Sequence, residues 1–151
     1  MPEYREKLWP SPWVFLAVAL VIPASLLVFA PISMLAGVAT GLVLFGGCVA
    51  ILIFASPVIR VNDRTLTAGP AQISADLLGE ALPYDAAEAT YQRGPGLDAR
   101  AWLLIRGWVK PVVRVPLEDP SDRAPYWLLS TRHPQELAAA INRSRRPAPH
   151  N

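Results

Sequence analysis

Residues 13–29 read WVFLAVALVIPASLLVF and residues 34–54 read MLAGVATGLVLFGGCVAILIF, with only Ala30-Pro31-Ile32-Ser33 between them. Both strings lie in a run from Leu8 to Ile59, 52 residues without Asp, Glu, Lys, Arg or His. As one helix that run would extend about 78 Å, against a hydrocarbon thickness of about 30 Å, so it must break. Pro31 supplies the break, because it lacks an N–H and disfavours helical backbone in the residue before it. The sequence therefore predicts a first transmembrane helix over 13–30 and a second over 34–55, ended by Ser56-Pro57. Lipid offers no hydrogen-bond partners to the backbone, so both spans must be helical.

Within the spans, Pro23 predicts a kink. Gly37 and Gly41 form a GxxxG pair, followed by Gly46 and Gly47. Small residues let helix backbones approach closely in lipid, so Gly37 and Gly41 are helix-packing candidates. Their partner is either the first span of the same chain or a second protein, including a homodimer. Ser25, Ser33 and Thr40 are the hydroxyl-bearing residues of this region. They are too few to line a transport pathway, and the helix pair reads as an anchor in the bilayer.

Arg5 and Lys7 precede the first span, Arg60 and Arg64 follow the second, and the short connection carries no cation. By the positive-inside rule the hairpin has both ends in the cytoplasm, with residues 1–12 as a cytoplasmic N-terminal segment. Glu3 and Glu6 count little in that rule, and Trp9 and Trp13 stand where interfacial aromatic anchors belong. The competing reading is a cleaved signal peptide, with Arg5 and Lys7 as its basic region and Val28-Phe29-Ala30 as a cleavage-like site. Against it, Pro31 would follow the cut directly and the second apolar string would remain.

Composition narrows the remainder. Charged residues make up 17% of the chain, below the roughly 25% usual in soluble domains. A net charge of +2 without a basic, aromatic-interleaved face gives no reason to expect nucleic acid as a partner. Arg supplies 12 of the 14 basic residues, which reads as coding bias. Cys48 is the sole cysteine, so it excludes an intramolecular disulfide and makes a cysteine-built metal site implausible.

From Val58 the period shifts toward two. Val58–Val61, Thr65–Ala68 and Ala71–Ser74 read as short strands joined by turns at Asn62-Asp63-Arg64 and Gly69-Pro70. A fourth strand is expected around Glu80–Tyr84, then a short helix capped by Asp85 and ended by Arg93-Gly94-Pro95-Gly96. Ala101–Arg106 is apolar on both faces, which predicts a central buried strand. Val112–Leu117 alternates, with Arg114 opposite Val113, Val115 and Leu117, and Tyr126–Ser130 is the last strand. Pro134 opens a final helix with an apolar stripe of Leu137, Ala140 and Ile141. The fold class is thus a membrane α-helical hairpin plus an α+β domain over 58–146, with a disordered tail over 147–151. Element order fits a bent sheet or a partly open, pleckstrin-homology-like barrel with a C-terminal helix.

Several groups offer chemistry, each beside a plainer role. Glu118, Asp119 and Asp122 could hold a divalent cation, but Asp-Pro-Ser-Asp is first of all turn chemistry. Ser130 and His133 lack a nucleophile elbow, and His133, Thr131 and Ser130 suit capping of the final helix. Arg106, Trp108 and Lys110 are the interaction candidates, able to meet lipid headgroups or a protein unless Trp108 folds over the core. Arg143, Arg145 and Arg146 could meet anionic lipid or simply complement a helix dipole. His150 falls in the tail.

A resemblance emerges from longer strings. Tyr4-Arg5-Glu6-Lys7-Leu8-Trp9 precedes the first span and Arg60-Val61 follows the second. Ala101-Trp102-Leu103-Leu104-Ile105-Arg106-Gly107-Trp108-Val109 and Val113-Arg114-Val115-Pro116-Leu117-Glu118-Asp119-Pro120 come later. Pro125-Tyr126-Trp127-Leu128-Leu129-Ser130-Thr131-Arg132-His133-Pro134 completes the set. Together they resemble the domain of unknown function 3093 family, small membrane proteins of high-GC Gram-positive bacteria. Gly107 stands where the family commonly has proline, and Arg123-Ala124 where Pro-Thr is frequent. The resemblance implies two spans and a cell-membrane location, and implies no catalytic residue or cofactor.

The functional expectation is a non-catalytic, membrane-anchored module whose cytoplasmic domain binds a protein partner or lipid headgroups. Its alternatives are an accessory subunit docking through the spans onto a larger membrane complex, and a hydrolase using Asp119, Asp122 or His133. No metal and no cofactor is expected.

Overall fold

The computed structural model describes residues 4–145. Glu3, Arg146, His150 and the expected 147–151 tail lie outside the described residues. The chain divides into two compact units, Trp9–Ser56 on one hand and Met1–Leu8 with Pro57–Asn151 on the other.

The first unit is helical: α1 (Pro12–Ala19), α2 (Val21–Phe29) and α3 (Met34–Phe54). Pro12–Phe29 and Met34–Phe54 are each long and apolar enough to cross a membrane. The break between α1 and α2 falls at Leu20, three residues before Pro23. Proline removes the hydrogen bond to the carbonyl four residues back and crowds that carbonyl, here Ala19. At the break Leu20 N–H bonds Ala17 O at 3.2 Å, a three-residue span where a regular helix has four. Between α2 and α3 the chain turns tightly, with Ser33 N–H on Phe29 O at 2.8 Å. Ser33 then caps α3, its Oγ accepting from Ala36 N at 3.3 Å.

Gly37 and Gly41 are buried on the α3 face that meets α2. A Cβ at Gly37 would stand 3.3 Å from Leu26 Cα, and one at Gly41 would stand 3.2 Å from Ile22 Cα. Gly46 and Gly47 face open space, where an added Cβ would meet no heavy atom within 4 Å. The GxxxG pair therefore serves packing inside this chain.

The second unit holds two four-stranded sheets. The first runs β1 (Tyr4–Lys7), β2 (Val58–Asn62), β3 (Thr65–Ala68), β4 (Ala71–Ser74), all antiparallel. The second has the order β5 (Leu82–Tyr84), β7 (Val112–Pro116), β8 (Tyr126–Ser130), β6 (Trp102–Leu104). In it β6 and β8 run parallel, a pairing that an all-antiparallel meander lacks. α4 (Ala86–Arg93) and α5 (Pro134–Arg145) complete the unit.

The alternation of β2 and β3 explains the first sheet. Ile59, Val61, Leu66, Ala68 and Ile73 are buried on one face, while Arg60, Asn62, Gln72 and Ser74 are exposed on the other. The β2–β3 loop has positive φ at Asp63 (32°) and Arg64 (70°), the signature of a two-residue hairpin turn. Arg64 has no glycine freedom there, and its ion pair with Asp76 and the Ala75 N–H on its carbonyl (2.7 Å) hold it.

The buried face of the first sheet, Val113, Val115, Trp127 and Leu129 of the second, and Leu137, Ala140 and Ile141 of α5 share one core. A smaller core on the far side of the second sheet joins Val112, Tyr126 and Leu128 to Ala89 of α4. Two expectations change here. The central strand buried on both faces is β8, all five of whose residues are buried; β6 is an edge strand with Leu103 43% exposed. An apolar run records burial and leaves position in the sheet open. The N-terminal segment, for which no strand was expected, supplies β1, in register from Tyr4↔Val61 to Lys7↔Val58.

Candidate functional site

The feature that organises the second unit is where its two chain segments meet. β1 places Tyr4 and Glu6 on the face toward α5, and Glu6 gathers donors from the β8–α5 connection. Arg132 N–H donates to Glu6 Oε1 at 2.9 Å, Tyr4 Oη donates to Oε2 at 2.7 Å, and Thr131 Oγ1 donates to the same Oε2. Thr131 is fully buried, and its Oγ1 also accepts from His133 N at 3.0 Å, just before α5. One carboxylate thus fixes the N-terminal strand to the start of the last helix, more than 120 residues away in sequence.

Burial raises the Tyr4 phenol above its ordinary pKa; the hydrogen bond with Thr131 opposes this, and the Glu6 carboxylate adds to it. The neutral phenol is favoured in the folded chain, so this stabilisation is complete below the unfolded value near pH 10 and is lost as pH rises above it. The melting temperature should fall on the alkaline side of about pH 10. Tyr4→Phe should flatten that fall while lowering stability at neutral pH through the lost hydroxyl; pH-dependent thermal melts check both.

Leu8 ends this segment. It is fully buried, its N–H bonds Pro57 O at 2.9 Å, and its carbonyl accepts from Trp108 Nε1 at 3.3 Å. Trp108 packs against the main core. Its indole thus folds over the domain and clamps the end of the N-terminal segment. Of the other interaction candidates, Arg106 donates its backbone N–H to Ser130 Oγ at 3.0 Å and a guanidinium N–H to Ile105 O at 2.9 Å, and Lys110 is exposed. Trp108→Phe keeps most of the packing and removes one hydrogen bond, and should cost about 0.5–1.5 kcal/mol in chemical denaturation.

The remaining candidates are occupied structurally. Asp119 Oδ1 accepts from Ser121 N (2.9 Å) and Oγ (2.6 Å), and Asp122 Oδ1 from Ala124 N (2.8 Å). The Ser121 hydroxyl and N–H hold the Asp119 carboxyl below its usual pKa. These are side-chain-closed turns. Among the described residues no three His, Cys, Asp or Glu groups converge as a metal set. Ser130 is fully buried. Arg145 donates Nε to Leu78 O at 2.8 Å, beside Asn142, which bonds both Ala81 N (2.9 Å) and Ala81 O (3.1 Å). Arg143 lines a cleft of ≈ 350 Å³ with Tyr4, Gln135, Glu136 and Ala139.

In the sequence Glu6 figured only as an acid that counts little in the positive-inside rule. The signal for more was alternation in Tyr4-Arg5-Glu6-Lys7, too short to weigh on its own. Fold and site define a class: an apolar helix pair inserted between the first and second strands of a two-sheet α+β domain. The chain belongs to the protein of unknown function (DUF3093) family, whose family model matches residues 3–141. Neither a curated protein nor a solved structure matches it.

Proposed function

We propose that this protein is a membrane-anchored, non-catalytic module, with Pro12–Phe29 and Met34–Phe54 as a transmembrane hairpin. Only 6% and 11% of these two segments is buried, unlike the core helices of a soluble protein, and Leu27, Leu35 and Phe54 are among their most exposed side chains. Apolar surface of that extent favours lipid as its solvent.

The observation that carries the reading is the β1–β2 ladder. The strand before the helices pairs with the strand after them, so the chain crosses the bilayer an even number of times between the two. A signal peptide cleaved after Ala30 would take with it β1, the Glu6 contacts and Leu8. The positive-inside arrangement of Arg5, Lys7, Arg60 and Arg64 supports the cytoplasm as this side. There the domain serves as a binding module for lipid headgroups or a protein; the pleckstrin-homology-like likeness is one of element order and lends no function.

The non-catalytic reading is supported by the buried Ser130 and the turn-bound Asp119 and Asp122. Docking onto a larger complex through Gly37 and Gly41 is disfavoured, because α2 occupies that face. Membrane fractionation with alkaline carbonate tests the anchor. The full chain should stay in the pellet and leave it only with detergent; recovery in the carbonate supernatant would refute it.

A further inference from the structure

The solvent face of the first sheet has an unusual charge pattern. The β1–β2 register places Arg5 directly opposite Arg60, and both are exposed. Like charges facing each other across an antiparallel pair are destabilising. Lys7 follows Arg5 on the same face, and across the sheet the row continues through Thr67 and Gln72. Among the described residues, the strands contribute no Asp or Glu to this face: Glu6 points the other way, and Arg64 has its own carboxylate in Asp76. A residue pair that repels within the fold calls for an anion outside it.

We propose that this face, centred on Arg5 and Arg60, binds the headgroups of anionic phospholipids. The proposal rests on the membrane reading above and names the ligand class for it. Chain connectivity favours lipid over other anions. Arg5 lies four residues before Trp9 and Arg60 four residues after Ser56, the two ends of the helical unit. At about 3.3 Å per residue, each arginine is tethered within about 13 Å of the chain's point of departure into the helices. Trp9, 47% exposed, adds an interfacial side chain on that tether. Basic residues held at such a distance gain from the negative potential of an anionic leaflet.

The test uses the full chain in detergent, titrated with phosphatidylglycerol or phosphatidylcholine and read by native mass spectrometry. Wild type should retain phosphatidylglycerol preferentially. Arg5→Gln with Arg60→Gln should weaken that retention about 25-fold, about fivefold for each arginine, whereas Arg106→Gln with Lys110→Gln should leave it unchanged. Without added anionic lipid the Arg5/Arg60 double variant should melt at the same temperature as wild type or higher, because repulsion is relieved; that also certifies its fold. Unchanged retention by a folded double variant, or equal retention of both lipids by wild type, would overturn the proposal and leave the anchor intact. Release of wild type by carbonate would instead remove the anchor itself.

Discussion

Removing residues 1–7 from the full chain should unfold the β domain and leave the helical unit intact. The deletion strips β1 from β2, takes Tyr4 out of its packing against the main core, and leaves Thr131 Oγ1 and Arg132 N–H without the Glu6 carboxylate. Hydrogen bonds to a charged group are worth about 1.5–3 kcal/mol and neutral ones about 1 kcal/mol. The summed loss is on the order of 5 kcal/mol, comparable with the whole stability of a small domain. Limited proteolysis and amide exchange of the detergent-purified chain should show residues 57–145 becoming labile. If these residues kept wild-type protection, β1 would be a dispensable edge and the domain would be continuous in sequence.

Gly41→Leu should have the second large effect, on the helical unit alone. A Cβ there already meets Ile22 Cα at 3.2 Å and Ile22 O at 3.4 Å. Both are backbone atoms, so no rotamer change on the opposing helix makes room. Leucine adds three further carbons, and the helices must separate at a cost above the usual 1–3 kcal/mol of overpacking. Gly37→Leu should behave similarly but less severely, since the Leu26 side chain at 3.3 Å can give way in part. Gly46→Leu and Gly47→Leu should be neutral, because nothing stands within 4 Å of either position. Cys48, the only cysteine, reports on this with a thiol-reactive fluorophore during heating in detergent. Equal melting temperatures for Gly41→Leu and Gly46→Leu would show that α2 and α3 do not pack through the GxxxG face.

Much of the architecture was legible because strong patterns carry it. Two apolar strings around Ala30-Pro31 dictate two helices, Pro23 dictates the break at Leu20, and alternation in Val58–Val61 and Val112–Pro116 dictates which residues face the core. What escaped was non-local. The pattern of Tyr4–Lys7 is four residues long, and its partner lies beyond both helices, so nothing local says that it pairs with β2. The apolar content of Trp102–Leu104 gave no sign that β6 sits at an edge, since Trp102 meets Trp127 of β8 with ring centroids 4.6 Å apart and Leu104 is buried in the main core. For Trp108 the sequence left two readings open, a loop contact for a partner or an indole folded over the core, because its hydrogen-bond acceptor, Leu8 O, lies 100 residues upstream. The turn at Asp119–Ala124 could be read directly, since its hydrogen bonds span two residues.

We propose that the apolar helix pair crosses a membrane and that the strands before and after it in sequence belong to one domain. Single cysteines at Arg5, Ile32 and Gln72, each in a Cys48→Ala background, test it with an impermeant thiol reagent applied to sealed vesicles of known orientation. Arg5, Ile32 and Gln72 are all exposed. Positions 5 and 72 should label together from one side and position 32 only from the other. Labelling of 32 and 72 from the same side, or of 5 and 72 from opposite sides, would contradict it.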